Sequence, residues 1–456
     1  MAEMQLTRAD FEPLHADHEI VSLSRPSLSY WQDAWIRLKA NTRALISLYL
    51  VIGLLTFTLI GPLLWQVDPA AQDVDQISLP PGTDRRAVIV PPYEPWDGHS
   101  VLPPGEGLHL AETPTSEAVR LAWDPVPGAA TYAVYRSRYP TGDDRALGLP
   151  LMDLYGNAST AFEDRLDLSP RTYYYSLLAH DPDGNELDFQ TLAVKVERVV
   201  TVEAALERGL ISSPEEVQIG DVVRMPLHPL GTDYLGRDML ARLMHGARVS
   251  LFIGIAAPFL YVLFGVVYGS TAGFIGGRTD QLLMRFADFV VALPFLLFMI
   301  LFKIAFGIGP GESGVLPMLV ALVLLSWPAT SRLVRGQILQ IRQEGYISAS
   351  RLLGAANGYL VLRHMIPNTM GVILVTLTFA VPSAIFTEAF LSFIGMGVAP
   401  PTPSWGSMCN EGIKTMLTTP HELIFPALLI SVTVLAFNLL GDGLRDALDA
   451  RMRATE

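Results

Sequence analysis

The sequence predicts a mainly α-helical polytopic membrane protein of six transmembrane helices that carries an inserted all-β sandwich, and three observations lead there. Half of the residues are apolar, the mean hydropathy is positive, and charged residues make up 17%, against about 25% in a soluble domain. Six apolar runs are each long enough to cross about 30 Å of hydrocarbon, for which a helix needs roughly 20 residues. Some 160 residues of soluble composition separate the first run from the second.

The runs extend from Ala44 to Trp65, Val249 to Phe274, Leu282 to Phe306, Val315 to Leu333, Met370 to Phe393 and Leu423 to Leu440. Cationic side chains in short loops are retained on the cytoplasmic side. Arg37, Lys39 and Arg43 precede the first run, and Arg278 and Arg285 flank the turn after the second. Arg332, Arg335, Arg342, Arg351 and Arg363 crowd the region after the fourth, and Arg445, Arg451 and Arg453 follow the sixth. The opposite loops, 307–314 and 397–422, hold only Lys414 among lysines and arginines. Six crossings then place both termini and the loop at 343–368 inside the cell. The first 25 residues are polar and acidic, so no cleavable signal peptide is expected and the first span serves as its own insertion signal.

The chain is therefore divided into a cytoplasmic amphipathic region at 1–43, a first helix at 44–66, an external insert at 67–227 and a transmembrane core at 228–456. From Val67 to Gly236 there are 27 acidic against 12 basic residues, so the low pI belongs to the insert. This acidity fits solvation of an external surface or attraction of a basic partner. Ala118 to Trp123, Thr131 to Ser137, Thr172 to Ala179 and Thr191 to Val196 alternate apolar and polar residues between Gly, Pro and Asp clusters, as strands of a sandwich do. Pro80 to Pro104 reads as an extended proline-rich linker or wrapping segment, and Val202 to Leu210 followed by SSPEEV as a short helix.

Within 110–200, VRLAWDPVPGAATYAVYRS and LSPRTYYYSLLA resemble a fibronectin type III domain, which implies a core Trp123 and a tyrosine corner at Tyr174. In the membrane portion, five stretches stand in order: SLSYWQDAWIRLKANTRAL, HPLGTDYLGRDMLARLMHGARVSLFIG, GFIGGRTDQLLMRFADFVVALPFLL, FLSFIGMGVAPPTPSWGSM and VLAFNLLGDGLRDALDARMR. With EGYISASRLLGAANGYLVLRHMIPN they resemble the C-type permeases of the oligopeptide, dipeptide and nickel family of ABC importers. The resemblance implies a type I importer permease fold in a bacterial cytoplasmic membrane. It also implies a homologous B-type permease, two cytoplasmic ATPases that bind ATP and Mg, and an extracytoplasmic substrate-binding protein as partners. Peptides are the implied substrate, with nickel chelates, glutathione or another small solute as alternatives.

In that family the loop at 343–368 couples the permease to its ATPases. Tyr346 to Leu353 has helical propensity, Ile347, Leu352 and Leu353 offer a docking face, and Gly354 permits a sharp turn. Arg351, Arg363 and His364 can meet carboxylates of a partner, and Pro367 starts the fifth span. Glu344 and Tyr346 belong to the same element. Ser348, Ala349 and Ser350 stand where the family usually has Glu-Ala-Ala.

Ionisable residues inside spans are expensive and default to function. Asp288 serves either packing or substrate contact. Glu388 lines an external gate, binds a cationic amine or makes a hydrogen bond between helices. Pro294, Pro328 and Pro382 interrupt their helices. Trp405 sits in a proline-rich segment that reads as a re-entrant or interfacial element at the outer mouth. Thr232 or Asp233 caps the helix entering the second span, with Arg237, Asp238 and Arg242 at a docking or solvated surface.

The sequence holds no G-x-x-x-x-G-K-S/T loop, so ATP chemistry belongs to other chains. Its single Cys409 excludes an internal disulfide, its nine histidines lack ligand spacing, and no G-x-S-x-G occurs. No catalysis, no bound metal or cofactor and no nucleic-acid partner are expected. A membrane-anchored adhesion or sensory protein is the competing class, for which one span would suffice and five would have no purpose.

Overall fold

The computed structural model describes residues 30–448 apart from 104, 141–146, 167, 307–313 and 399. The loop at 307–314, Arg451 and Arg453 therefore lie wholly or partly outside the described residues. Two compact units are present, one formed by 1–81 with 229–456 and the other by 82–228.

In the first unit, α1 (Tyr30–Ala40) and α2 (Thr42–Leu59) are separated only by Asn41, whose side chain accepts from Ala44 N. Asn41 leaves the helical region (φ −86°, ψ 99°) and caps α2 in the manner typical of Asn. A short α3 (Gly61–Leu64) follows.

The second unit opens with β1 (Arg86–Val90), so the segment Pro80 to Pro104 is not merely a linker. The sequence RAVIV alternates, burying Ala87 and Ile89, and hydrogen-bonded partners on both sides hold it. The strands β2 (His109–Leu110), β3 (Val119–Ala122) and β6 (Ala161–Asp164) form one antiparallel sheet. A second sheet has the order β5-β4-β7-β8, from β4 (Thr131–Ser137), β5 (Met152–Tyr155), β7 (Thr172–His180) and β8 (Glu186–Lys195). Val119 and Leu121 of the first sheet and Tyr132, Tyr175 and Leu177 of the second share one buried cluster with Trp123. Where the resemblance implies a corner at Tyr174, it is Tyr173 that is buried, its hydroxyl accepting from Ser169 N at 2.9 Å. Tyr174 has the opposite parity on the strand and is only half-buried. A third sheet, β10-β1-β9, is completed by β9 (Val199–Thr201) and β10 (Val222–Arg224), and β1 runs parallel to β9. Between them α4 (Val202–Glu207) is capped by Thr201, and Pro214–Glu216 forms a 3-10 turn, as the sequence predicts.

The transmembrane unit resumes with α5 (Met239–Ile275), 37 residues long, hence about 55 Å. Gly265, Gly269 and Gly273 recur every fourth residue on its face toward α8 (Val315–Ile341), where a Cβ would meet backbone or side-chain atoms of 327–338. Without an apolar driving force between helices in lipid, such close approach is what fastens them. Among the described residues, five helices are long and apolar enough to cross a membrane. The sixth expected span corresponds to the pair α6 (Gly277–Ala292) and α7 (Phe295–Ala305), bent by 84° at a short break, so that five or six crossings are present among the described residues. The span from Leu282 to Phe306 is broken at Leu293 and Pro294, an interruption that Pro294 predicts, because proline supplies no N–H and disfavours helix in the residue before it. Pro328 and Pro382 do not interrupt theirs, since α8 and the later helix 366–393 continue through them.

Beyond α8 come α9 (Gly345–Leu352) and α10 (Asn357–Tyr359), then a π-helical turn at Leu360–Met365 that runs into α11 (Ile366–Phe393). The last elements are α12 (Trp405–Gly412) and α13 (His421–Leu448).

Candidate functional site

The connection from α8 to α11 is built around a glycine. Gly354 has φ +86°, and no heavy atom lies within 4 Å of where its Cβ would sit, so backbone conformation alone demands glycine there. Its N–H closes the turn on Arg351 O at 3.0 Å. The helix before it, α9, ends on Leu352 and its C-cap Leu353, apolar side chains at 89% and 88% exposure that no described residue covers. The third residue expected on that face, Ile347, is 1% exposed and joins the core with Leu360 and Met365, so it anchors α9 rather than docking. Glu344 stands at the N-cap position without a side-chain cap bond, Ser348 and Ala349 are exposed, and Ser350 Oγ donates to Tyr346 O at 2.8 Å.

Arg351 lies 5.5 Å over the Phe274 ring at the end of α5, and Arg363 is exposed. His364 is flanked by the rings of Tyr346 and Tyr359, with centroids at 6.4 and 5.3 Å. Pro367 lies in the first turn of α11, as expected, although the helical rod that α11 continues starts earlier, at Asn357.

The far end of α5 carries a second constellation, which the sequence placed on the surface. Asp238 is the N-cap of α5 and accepts from Ala241 N at 2.6 Å, so the cap is neither Thr232 nor Asp233. Asp233, Arg237, Arg242 and Glu411 are all buried. Arg237 meets Asp233 at 2.7 Å and Glu411 at 3.1 Å, while Arg242 pairs with Asp233 and lies 2.7 Å from Glu411. Burial disfavours the Arg237 charge, but Asp233 and Glu411 beside it outweigh that and raise its pKa. Glu422 accepts from Ser78 Oγ and Thr419 Oγ1, both at 2.7 Å, and the His421 ring lies 3.0 Å from Thr232 O. Three stretches distant in sequence, at Ser78, 232–242 and 411–422, are thereby knitted into one largely buried polar plate.

Trp405 heads α12 at 0% exposure and donates from Nε1 to Leu243 O at 3.0 Å, so it is a core residue and not an interfacial anchor. Glu388 of α11 is likewise 0% exposed and accepts from Ser392 Oγ, one turn on in the same helix, at 2.8 Å, so it is buried inside the bundle and not at an exposed mouth. Its Oε2 has no hydrogen-bond partner among the described residues. Asp288 of α6 has a half-exposed side chain, 2.7 Å from Arg332 of α8 and 3.9 Å from Arg285. Sequence reading missed the stronger α6–α8 tie, the two-pronged Arg335–Asp280 pair at 2.5 and 2.6 Å, and it missed Glu411. The i, i+4 spacing of Asp233 and Arg237 was the available signal for the buried cluster. No group of three or more metal-ligating side chains occurs among the described residues.

Comparison with known proteins covers both flanks of the β-rich unit. Residues 29–81 match the N-terminal TM domain of oligopeptide transport permease C, and 265–454 match the binding-protein-dependent transport system inner membrane component family. Over 226 residues, 50% of this chain and 72% of the relative, identity is 47% to the oligopeptide transport system permease protein OppC of Bacillus subtilis (strain 168). It is 46% over 227 residues, 50% of this chain and 69% of the relative, to the dipeptide transport system permease protein DppC of the same organism. It is 42% over 226 residues, 50% and 73%, to the glutathione transport system permease protein GsiD of Escherichia coli O6:K15:H31 (strain 536 / UPEC). A chain of the MetNI methionine ABC transporter, solved in inward facing conformations, overlays 46% of this chain and 98% of its own with a TM-score of 0.38 and 17% identity, a likeness too slight to carry an argument. With bundle, broken span and glycine-hinged loop in place, the two family matches and the identity to OppC and DppC establish that this chain belongs to the OppC/DppC-type permeases of binding-protein-dependent ABC importers.

Proposed function

We propose that the chain is the C-type permease of an importer that moves di- or oligopeptides inward, paired with a homologous B-type permease, two cytoplasmic ATPases and an extracytoplasmic binding protein. The observation that carries the coupling role is the exposure of Leu352 and Leu353 on a short helix beside the Gly354 hinge. Two leucines left uncovered at a helix end indicate an absent partner, and a permease without ATP chemistry needs an element its motor can push. Arg351 and Arg363 supply the charge for carboxylates of that partner. The distribution of Lys and Arg puts this end, and both termini, on the cytoplasmic side.

Peptides are favoured by the names of OppC and DppC, and the 42% identity to GsiD keeps glutathione as the second reading. The ligand that copurifies with the cognate binding protein decides between them. Replacing Gly354 with Val forces a β-branched residue to positive φ. Hydrolysis is then expected to continue while uptake into reconstituted vesicles falls, and normal uptake by that variant sinks the coupling role.

The unit at 82–228 we read as an external fibronectin type III-like sandwich with an added three-stranded sheet. Support comes from the shared core of its two main sheets around Trp123 and from the Tyr173 corner. Joined to the membrane unit through both of its ends, it has a raised effective concentration for the binding protein or the partner permease. Deleting 82–228 with a short linker is expected to weaken binding-protein affinity, and unchanged affinity and uptake remove the docking role.

A further inference from the structure

A glycine hinge beside a docking helix raises a mechanical difficulty. If Gly354 were the only link between α9 and α11, displacement of α9 would be absorbed by rotation at the hinge and α11 would not follow. A second link spans the hinge. Asn368 Nδ2, in the first turn of α11, uses both of its hydrogens, one on Tyr346 OH of α9 at 2.8 Å and one on His364 O of the π-helical turn at 2.8 Å. His364 presents its ring between Tyr346 and Tyr359. On the inner side Ile347 enters the same core as Leu360 and Met365. The π-helical turn itself ends against Pro367, which lacks an N–H to continue a regular ladder.

We propose that Tyr346 and Asn368 form a clasp across the Gly354 hinge, making α9 and the first turn of α11 one rigid body so that motion imposed on α9 reaches α11. Both are positioning residues, and the inference rests on the docking role proposed for α9. The hinge then sets the path of the chain, and the clasp sets the stiffness of the lever. The two partners are 22 residues apart, and both bonds are solvent-accessible, so the clasp opens when either partner is lost without loss of the fold.

The test uses the full complex with its ATPases in nanodiscs and spin labels at Gly345→Cys of α9, where an added side chain meets no atom within 4 Å, and Leu362→Cys, both exposed positions, while native Cys409 is buried. A third label on the ATPase reports its approach to residue 345. The expected result is one narrow 345–362 distance with and without ATP. In Tyr346→Phe and in Asn368→Ala a second distance is expected in the ATP state, its population raised about 2- to 10-fold, the range that one net hydrogen bond gives. The double variant is expected to match either single one. Narrow distances in both single variants, or additive effects in the double, overturn the clasp while leaving α9 docking intact. No ATPase approach to residue 345 in the parent complex overturns the docking role, and the clasp's function with it. Tyr346→Phe removes only a hydroxyl from a part-exposed ring, so a misfolded Asn368→Ala leaves the test standing.

Discussion

At one end of α5, Trp405, Arg237, Arg242 and Asp233 are each less than 5% exposed, and every one is held by a named partner. At the other end Leu352 and Leu353 are almost fully exposed. The difference is one of construction. The α12 end closes on itself through buried charge and close glycine contacts, since a Cβ on Gly406 would collide with Ala389 and one on Gly412 with Glu422. The α9 end leaves its apolar surface unfinished. A helical bundle that must move under force benefits from one rigid end and one end shaped for contact with another chain.

The largest expected effect breaks the closed end. Glu411→Ala leaves Arg237 and Arg242 buried with only Asp233 between them, and losing one partner of a buried ion cluster costs about 3–5 kcal/mol. Thermal unfolding in detergent is expected to show a clear fall in Tm, and an unchanged Tm contradicts the buried cluster. Next comes Trp405→Ala, expected to cost about 3–5 kcal/mol as a fully buried large aromatic; folded yield after purification reports it. At the open end Leu352→Asp is expected to change the stability of the isolated chain by no more than about 0.5 kcal/mol while weakening ATPase copurification. A large Tm loss there would erase the contrast between the two ends.

The β-rich unit sharpens the same contrast on a smaller scale. Tyr173→Phe removes an acceptor from Ser169 N and is expected to cost about 1 kcal/mol, whereas Tyr174→Phe is expected to be neutral; denaturant melts of the two variants compare them. The smallest effect is chemical. Burial, with a contribution from the Glu388 carboxylate, pushes the Cys409 thiol up to about 12, so maleimide at neutral pH is expected to leave the native chain unlabelled. Rapid labelling would show that α12 opens freely.

Much of this was legible in the sequence, and the exceptions share one cause. The apolar runs, β4, β7 and the glycine at 354 follow from local rules of length, period and backbone freedom. What escaped depends on partners far along the chain. Glu411 reads as one acid in a polar loop until Arg237 and Arg242, 174 and 169 residues away, converge on it. Trp405 reads as an interfacial aromatic until the Leu243 carbonyl meets its Nε1. Ile347 looked available because helical position alone does not tell which neighbours lie above it. The Tyr173–Tyr174 slip is a one-residue parity error, and in a strand that exchanges the faces. The break at Pro294 had its local signal in the proline, but the same signal at Pro328 and Pro382 gave no break, because α8 and α11 run on through them.

The central claim is that α9 is where the motor touches this permease. The most direct measurement introduces Leu352→Cys in the full complex, where Cys409 is buried and silent, and applies a short bifunctional thiol cross-linker with cysteines placed around the ATPase groove. The account predicts a permease–ATPase cross-link whose yield changes between nucleotide-free and ATP-trapped states, with residue 352 protected from impermeant reagent outside sealed right-side-out vesicles. Labelling of residue 352 from the outside, or the absence of any cross-link in every nucleotide state, contradicts it.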